Sequence, residues 1–128
     1  MPRPATNLTA TVIGATDPHA LARFYAELLG WKIQRVEERD WVTVRNPQGG
    51  PGLSFQHEPL HRRPVWPGNA TDQQMMMHVD IEVEDLEEAV AYALSLGAVK
   101  ARFQPQDDVV VCFDPDGHPF CLWIVTEE

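Results

Sequence analysis

The sequence repeats part of its own pattern after 68 residues, and this internal repeat limits the possible folds more than any other feature. Two aspartates suited to cap a helix, Asp17 and Asp85, are 68 residues apart. The turns Asn-Pro-Gln-Gly-Gly-Pro at 46–51 and Asp-Pro-Asp-Gly-His-Pro at 114–119 have the same spacing and share both prolines and one glycine. Such turns are common between strands, so chance can supply one match. Because the caps keep the same register as the turns, we expect a duplicated module.

Each copy of the module carries the order strand, helix, strand, strand, strand. After each capping aspartate, apolar residues follow at helical spacing until a glycine, Gly30 or Gly97, ends the helix. We expect strands at 10–15, 31–36, 41–45 and 53–56 in the first copy, and at 77–83, 109–113 and 120–125 in the second. This order predicts an α+β fold, in which two tandem βαβββ modules form a curved mixed sheet around a concave pocket.

The chain is short enough that a single domain, residues 1–128, is expected. Residues 57–74 show neither helical nor strand periodicity, and we call this segment the connector. It separates module one, at about 8–56, from module two, at about 75–126. Since each half is too small to bury a core alone, the connector is expected to lie inside one domain rather than between two.

Charge and composition exclude several classes of function. The 10 Lys and Arg residues against 19 Asp and Glu residues give a net charge of −9, which argues against nucleic acid or an anionic membrane as partner. The sequence contains no run of 18 apolar residues, so no membrane span is expected. The first twelve residues do not resemble a secretory signal. Two cysteines, Cys112 and Cys121, are too few for a disulfide framework, so we expect reduced thiols in the cytoplasm.

The alternation in residues 78–83 indicates where a pocket lies. Val79, Ile81 and Val83 are expected to point to one side of the strand, and His78, Asp80 and Glu82 to the other. The apolar side is expected to pack on the helix of its own module. The polar side must then face water, a partner or a cavity, and we expect a cavity.

Three segments resemble the vicinal oxygen chelate superfamily, which contains glyoxalases, bleomycin-resistance proteins, fosfomycin-resistance enzymes and extradiol dioxygenases. More narrowly, the chain is similar to small bacterial glyoxalase-like domain proteins, over about residues 8–125. The resemblance implies paired βαβββ modules around a pocket, and it is specific for fold rather than for chemistry. The segments are DPHALARFYAELLGW at 17–31, HVDIEVEDLEEAV at 78–90 and DPDGHPFCLW at 114–123.

The resemblance also implies where a metal ion would be held. Metal-dependent members place a His or Gln at the start of each module's first strand and a Glu on each last strand. His78 matches this pattern, whereas Ala10 and Cys121 stand where the family has ligands. The remaining position is Leu53 by the repeat spacing or Ser54 by strand parity, and we prefer Ser54. With one ligand of four retained, we expect no metal cofactor, although His78 and Cys121 are half of a possible zinc site.

His78 is the first candidate for a functional residue, either as a ligand-binding or proton-transferring imidazole or as a hydrogen-bonded remnant. Asp80 is the second, because it can orient His78. The cysteines are either a redox pair or nucleophile, or small buried hydrophobes. Trp66 in the connector is expected near a pocket mouth or an interface. The residues predicted to line the ligand pocket are Ser54, Gln56, His78, Asp80, Cys121, Trp123 and Trp41.

Three functions fit these observations. The first is a metal-free protein that binds or sequesters a small organic molecule, as resistance-type members do. The second is a lyase, isomerase or dioxygenase-like enzyme that acts on a small carbonyl or aromatic compound, with His78 and Asp80 in acid–base roles. The third is a domain that acts through dimerisation alone. Because the family commonly completes its pockets by dimerisation, we expect a homodimer.

Overall fold

The computed structural model describes residues 2–38 and 40–125, and within them the chain forms two compact units divided between Pro59 and Leu60. In the described residues, each unit holds one helix and a four-stranded mixed sheet, in the order expected for tandem βαβββ modules. This confirms the α+β class and the duplication. At 12 and 10 residues, the two helices are too short to cross a membrane.

The first unit builds its sheet in the order β1-β4-β3-β2. The β1 and β4 strands pair in parallel, while β3 pairs antiparallel with both of its neighbours. Its elements are β1 (Ala10–Ala15), α1 (Pro18–Leu29), β2 (Lys32–Glu37), β3 (Trp41–Arg45) and β4 (Gly52–His57).

The second unit repeats this topology in the order β5-β8-β7-β6, with β5 and β8 parallel. The predicted strand at 77–83 is shorter than expected, so His78 lies just before β5 rather than within it. The sequence assigns no residues to the strand expected after the second helix, because the two-residue β6 found there is too short to show a period. The elements are β5 (Val79–Glu82), α2 (Leu86–Ser95), β6 (Val99–Lys100), β7 (Val109–Phe113) and β8 (Pro119–Trp123).

The helices begin at the predicted caps. The Asp17 carboxylate accepts a hydrogen bond from the backbone N–H three residues later at 3.2 Å, and Asp85 does the same at 3.0 Å. Gly30 ends α1 in the left-handed conformation, with φ of 70°. The end of α2 differs slightly, because Leu96 is its C-cap and Gly97, with φ of 112°, is the residue after it.

The two duplicated turns share their hydrogen bonds as well as their sequence. The first side chain of each turn, Asn46 or Asp114, accepts a hydrogen bond from the backbone N–H two residues later, at 3.0 and 2.9 Å. The fourth residue of each turn, Gly49 or Gly117, has φ of 87° and donates its N–H to the carbonyl of the first. Both turns therefore close in the same way, 68 residues apart.

Each helix covers one face of the sheet in its own unit. In the first unit, Tyr25 of α1 stacks on Phe55 of β4, with ring centroids 5.7 Å apart. This contact confirms that Phe55 faces the helix, and places the neighbouring Ser54 on the opposite face. In the second unit, Phe120 and Leu122 of β8 are completely buried.

The connector joins the second unit through the duplicated turn. The imidazole Nε2 of His61 lies 2.8 Å from the carbonyl oxygen of Asp116, and Arg63 donates from Nη1 to the carbonyl oxygen of Pro115 at 2.9 Å. Apart from His57, which ends β4, the segment contains no helix or strand, and it pairs with itself through one isolated bridge from Val65 to Gln74. Two basic side chains of the connector, His61 and Arg63, are thus held against the backbone of the turn.

Candidate functional site

The candidate site lies on the face of the second sheet that carries Cys121. Asp80 of β5 pairs with Cys121 of β8 in the parallel register, and Val111 of β7 pairs with the same cysteine in the antiparallel register. Side chains of paired residues point to the same side of a sheet, so these three are neighbours. Phe120 and Leu122 alternate with Cys121 along β8 and therefore point to the other face.

The polar cluster of this face consists of His78, Asp80 and Cys121. The Nε2 atom of His78 lies 3.1 Å from Oδ1 of Asp80, and the metal-capable atoms of the three side chains lie within 4.8 Å of one another. The side chains of His78 and Asp80 are 30% and 61% exposed, whereas Cys121 is buried. A dissolved molecule can therefore reach the imidazole and the carboxylate.

Asp80 is the shared acceptor of the polar cluster. An ionised carboxylate can only accept hydrogen bonds, and Asp80 accepts one from the Cys121 thiol and lies in bonding range of His78 Nε2. Burial, and after it the charge and hydrogen bond of Asp80, together raise the pKa of Cys121 to about 11. At neutral pH this cysteine is a thiol, which makes it a hydrogen-bond donor rather than a nucleophile.

Cys112 lies apart from the polar cluster. It pairs with Phe120 in the register of β7 and β8, so it points to the face opposite Cys121. Both cysteines are free and buried, and burial raises the pKa of Cys112 to about 11 as well, against a smaller lowering by Lys100. This placement favours the interpretation of two small buried residues over a redox pair.

Trp66 covers part of the polar cluster. Its ring lies 4.9 Å from the His78 ring between centroids, with the planes inclined at 33°. The half-buried indole also packs against the buried group formed by Ala101, Val111 and Cys121. An aromatic residue of the aperiodic connector thus packs against both His78 and the buried group around Cys121.

An apolar patch adjoins the polar cluster on the same unit. Its members are buried or half-buried aliphatic and aromatic side chains that pack around Cys121, and the sequence prediction of the pocket lining included none of them. The signal that could have identified its β7 members is the antiparallel pairing of β7 with β8 across the turn at 114–119. This pairing places alternate residues of β7 on the face of Cys121. The patch consists of Ala101, Val109, Val111, Phe113 and Trp66.

The other predicted pocket residues divide between the units. Trp123 pairs with Glu82 and shares the face of Cys121, so it belongs with the second-unit group. In the first unit, Trp41 pairs with Gln56 on the face that also carries Ser54. Ser54 is 3% exposed, which leaves little of its hydroxyl open to a dissolved ligand.

The first unit also has an open concavity of about 610 Å³ at the start of α1. His57 is exposed, and its Nδ1 lies 3.9 Å from Oδ1 of Asp40, beyond hydrogen-bond distance. The lining of the concavity is polar or charged apart from Pro18. The residues that line it are Thr16, Asp17, Pro18, His19, Asp40 and His57.

The donor set does not fit the divalent metal of the metal-dependent relatives. Ala10 offers no ligand atom, and the Ser54 hydroxyl is neutral and buried. The three donors of the polar cluster are close enough for a metal ion, but Asp80 is engaged with both of its neighbours and Cys121 holds its proton. Because metal ligation requires a thiolate, a metal ion would have to displace the thiol proton of Cys121 before it could bind this cluster.

Comparisons with known proteins agree with this fold. The model of the family described as "Glyoxalase-like domain" matches residues 10–123. A glyoxalase/bleomycin resistance protein/dioxygenase family enzyme from Burkholderia phytofirmans PsJN is similar in structure, with a TM-score of 0.72 and 14% identity, over 94% of this chain and 100% of that chain. A glyoxalase family protein from Enterococcus faecalis has a TM-score of 0.67 and 21% identity, over 91% and 96%.

A third solved structure, the trypanothione-dependent glyoxalase I of Leishmania major, has a TM-score of 0.65 and 20% identity, over 94% of this chain and 87% of that chain. No curated protein sequence matches the chain significantly. The structural neighbours carry the vicinal oxygen chelate fold, and at these identities they establish the fold alone. Because the family model spans nearly all of the sequence, and both the repeat and the two sheets agree with it, the chain belongs to the glyoxalase-like domain family.

Proposed function

We propose that this chain is a metal-free binding protein for a small organic molecule, which it holds on the second-unit face beside His78. The observation that carries the proposal is the juxtaposition of the polar cluster with the apolar patch under a half-buried indole. Ligand sites in proteins combine mostly apolar walls with a few convergent polar groups in this manner. The proposal places the protein in the cytoplasm, where its two free thiols stay reduced.

The metal-free part of the proposal rests on the donor set. A catalytic divalent site ordinarily keeps three or more protein ligands, and the family pattern retains His78 alone. In the polar cluster, a metal ion would have to displace the thiol proton and compete with His78 for Asp80. An organic ligand needs neither change.

A second candidate function is acid–base catalysis on a small carbonyl or aromatic compound. It is favoured by one observation, the 3.1 Å approach of Asp80 to His78 Nε2. A carboxylate that holds one nitrogen of an imidazole orients the ring and leaves the other nitrogen to exchange a proton with a substrate. Turnover of a bound compound, lost in Asp80→Asn while binding persists, would favour this function over simple binding.

The test is a binding screen read by NMR on metal-free protein. After dialysis against chelator, small aromatic and carbonyl compounds should shift the Trp66 indole N–H and the His78 ring resonances. The His78→Ala variant should lose these shifts, whereas His57→Ala, which removes the exposed histidine near Asp40, should keep them. Binding that appears only after a divalent metal is added would contradict the proposal, and so would shifts confined to the first unit.

A further inference from the structure

The orientation of His78 determines which of its nitrogens is left for a ligand. Asp80 can only accept, so a neutral ring that donates to it carries its proton on Nε2, the atom 3.1 Å from the carboxylate. Nδ1 then presents a lone pair. Among residues 2–38 and 40–125, no hydrogen-bond partner of His78 other than Asp80 is found, and the side chain is partly exposed.

The same carboxylate also determines the role of Cys121. Because the thiol donates to Asp80, its hydrogen is directed within the polar cluster rather than toward a ligand. Asp80 is engaged by these two neighbours, and its remaining lone pairs can also only accept hydrogen bonds. The polar atoms of the cluster that remain open to a ligand are therefore acceptors, and the uncharged one among them is Nδ1 of His78.

The charge of the face argues against an anionic ligand. Asp80 is 61% exposed, and Glu82 lies two residues further along β5 on the same side. In the described part of the chain, Asp80 has an ion pair with His78 and none with Lys or Arg. A carboxylate or phosphate placed here would meet like charges and find no fixed cation.

The apolar patch determines the shape of the rest of the ligand. Trp66 and Phe113 contribute half-buried aromatic surface and Val109 half-buried aliphatic surface beside the polar cluster, whereas Val111 is buried. Aromatic rings favour stacked or edge contacts with other rings. A planar, apolar ring system uses this surface better than a flexible polar chain does.

We infer that the site takes an uncharged aromatic molecule that donates an O–H or N–H hydrogen to Nδ1 of His78 and rests its ring on the apolar patch. This inference deepens the proposed binding function and depends on it. It makes the ligand the donor and the protein the acceptor. An ether, in which a methyl group replaces the donated hydrogen, should therefore bind poorly although its ring system is unchanged.

The test compares three probes on the full chain: 2-naphthol, 2-methoxynaphthalene and 2-naphthoate. Titrations followed by NMR at about pH 8, at which a histidine ring is ordinarily neutral, give the three dissociation constants. We expect 2-naphthol to bind about tenfold more tightly than its methyl ether, as the loss of one hydrogen bond implies, and 2-naphthoate to bind most weakly. The His78→Ala variant should bind the alcohol and the ether equally, and His57→Ala should retain the preference.

Each outcome of the probe comparison either supports or contradicts the inference. Equal binding of 2-naphthol and 2-methoxynaphthalene by the wild-type chain would overturn the inference while leaving the proposed binding function intact. Tightest binding of 2-naphthoate would do the same and would indicate an anion site. Failure of all three probes to shift the Trp66 or His78 resonances would overturn the inference, and the broader screen would then decide the binding function separately. Because the comparison uses the wild-type chain, it does not depend on the variants folding.

Discussion

At the scale of single residues, the polar cluster is organised around one carboxylate. Asp80 is the acceptor for a thiol and lies in bonding range of an imidazole, so each neighbour is oriented by it. An exposed Asp–His pair by itself contributes little to stability, because water screens it. Its value here lies in fixing the tautomer of His78 and in keeping Cys121 protonated.

The protonation of Cys121 gives a prediction about its reactivity. Because burial and then Asp80 raise its pKa to about 11, alkylation by iodoacetamide should be slow at neutral pH and should accelerate as pH rises toward that value. Asp80→Asn should accelerate alkylation, since it removes the negative charge, but burial should keep the pKa above the ordinary value. Peptide mass spectrometry, which separates Cys121 from Cys112, checks both statements. A rate that levels off near pH 8 would contradict the assigned role.

At the scale of secondary-structure elements, one side chain forms the backbone hydrogen bonds that a longer β6 would form. Because β6 has two residues, it leaves the outer edge of β7 partly unpaired. Gln104 occupies this edge: its Oε1 accepts from the backbone N–H of Val111, and its Nε2 donates to the carbonyl oxygens of Val111 and Ala101, at 2.8–2.9 Å. One side-chain amide thereby satisfies both backbone groups of a residue that pairs with Cys121.

The Gln104 bonds predict a stability effect at this edge. Gln104→Ala should lower the free energy of unfolding by about 1–3 kcal/mol, because the backbone N–H of Val111 and the carbonyl of Ala101 lose their bonds to Gln104, while the Val111 carbonyl keeps its bond from the Ala101 N–H. The matched control is Gln106→Ala, two residues away and exposed, which should change stability by less than about 0.5 kcal/mol. Denaturant unfolding gives both values. Equal stability of the two variants would mean that water satisfies Val111 as well as Gln104 does.

At the scale of the whole molecule, the question is how many chains assemble. The chain has a net charge of −9, which opposes association at low ionic strength, while salt screens the repulsion beyond about 8 Å under physiological conditions. Several large apolar side chains are exposed, among them Leu60, Met76 and Met77. Exposed apolar surface of this kind is typical of interfaces between subunits.

We predict a homodimer that strengthens with salt. Light scattering after size exclusion, at about physiological ionic strength, should give twice the chain mass, and low salt should shift the population toward the monomer. Trp66→Ala should alter ligand binding, because the indole packs on the His78 ring. If the variant also becomes monomeric, then Trp66 contacts the partner; if it stays dimeric, then its role is confined to the site. A monomer mass for the wild-type chain at high protein concentration would contradict the prediction.

Much of the fold could be predicted because its signals are local. Asp17, Asp85 and the two turns act through hydrogen bonds to residues two or three positions away, so the sequence displays them directly. The site was harder to predict, because Val111 reaches Cys121 only through strand register. The two-residue β6 and the amide of Gln104 leave no periodic trace, and their roles follow from contacts that the chain makes after folding.

The duplicated turns also illustrate how copies of one module come under different constraints. A methyl group added at Gly49 would meet no atom within 4 Å, whereas one added at Gly117 would lie 3.0 Å from the Arg63 side chain. Both glycines have the same φ of 87°, so the backbone of each turn favours glycine equally. At Gly117 the Arg63 side chain of the connector adds a steric requirement that Gly49 does not have. A substitution tolerated in one copy of the turn is therefore not automatically tolerated in the other.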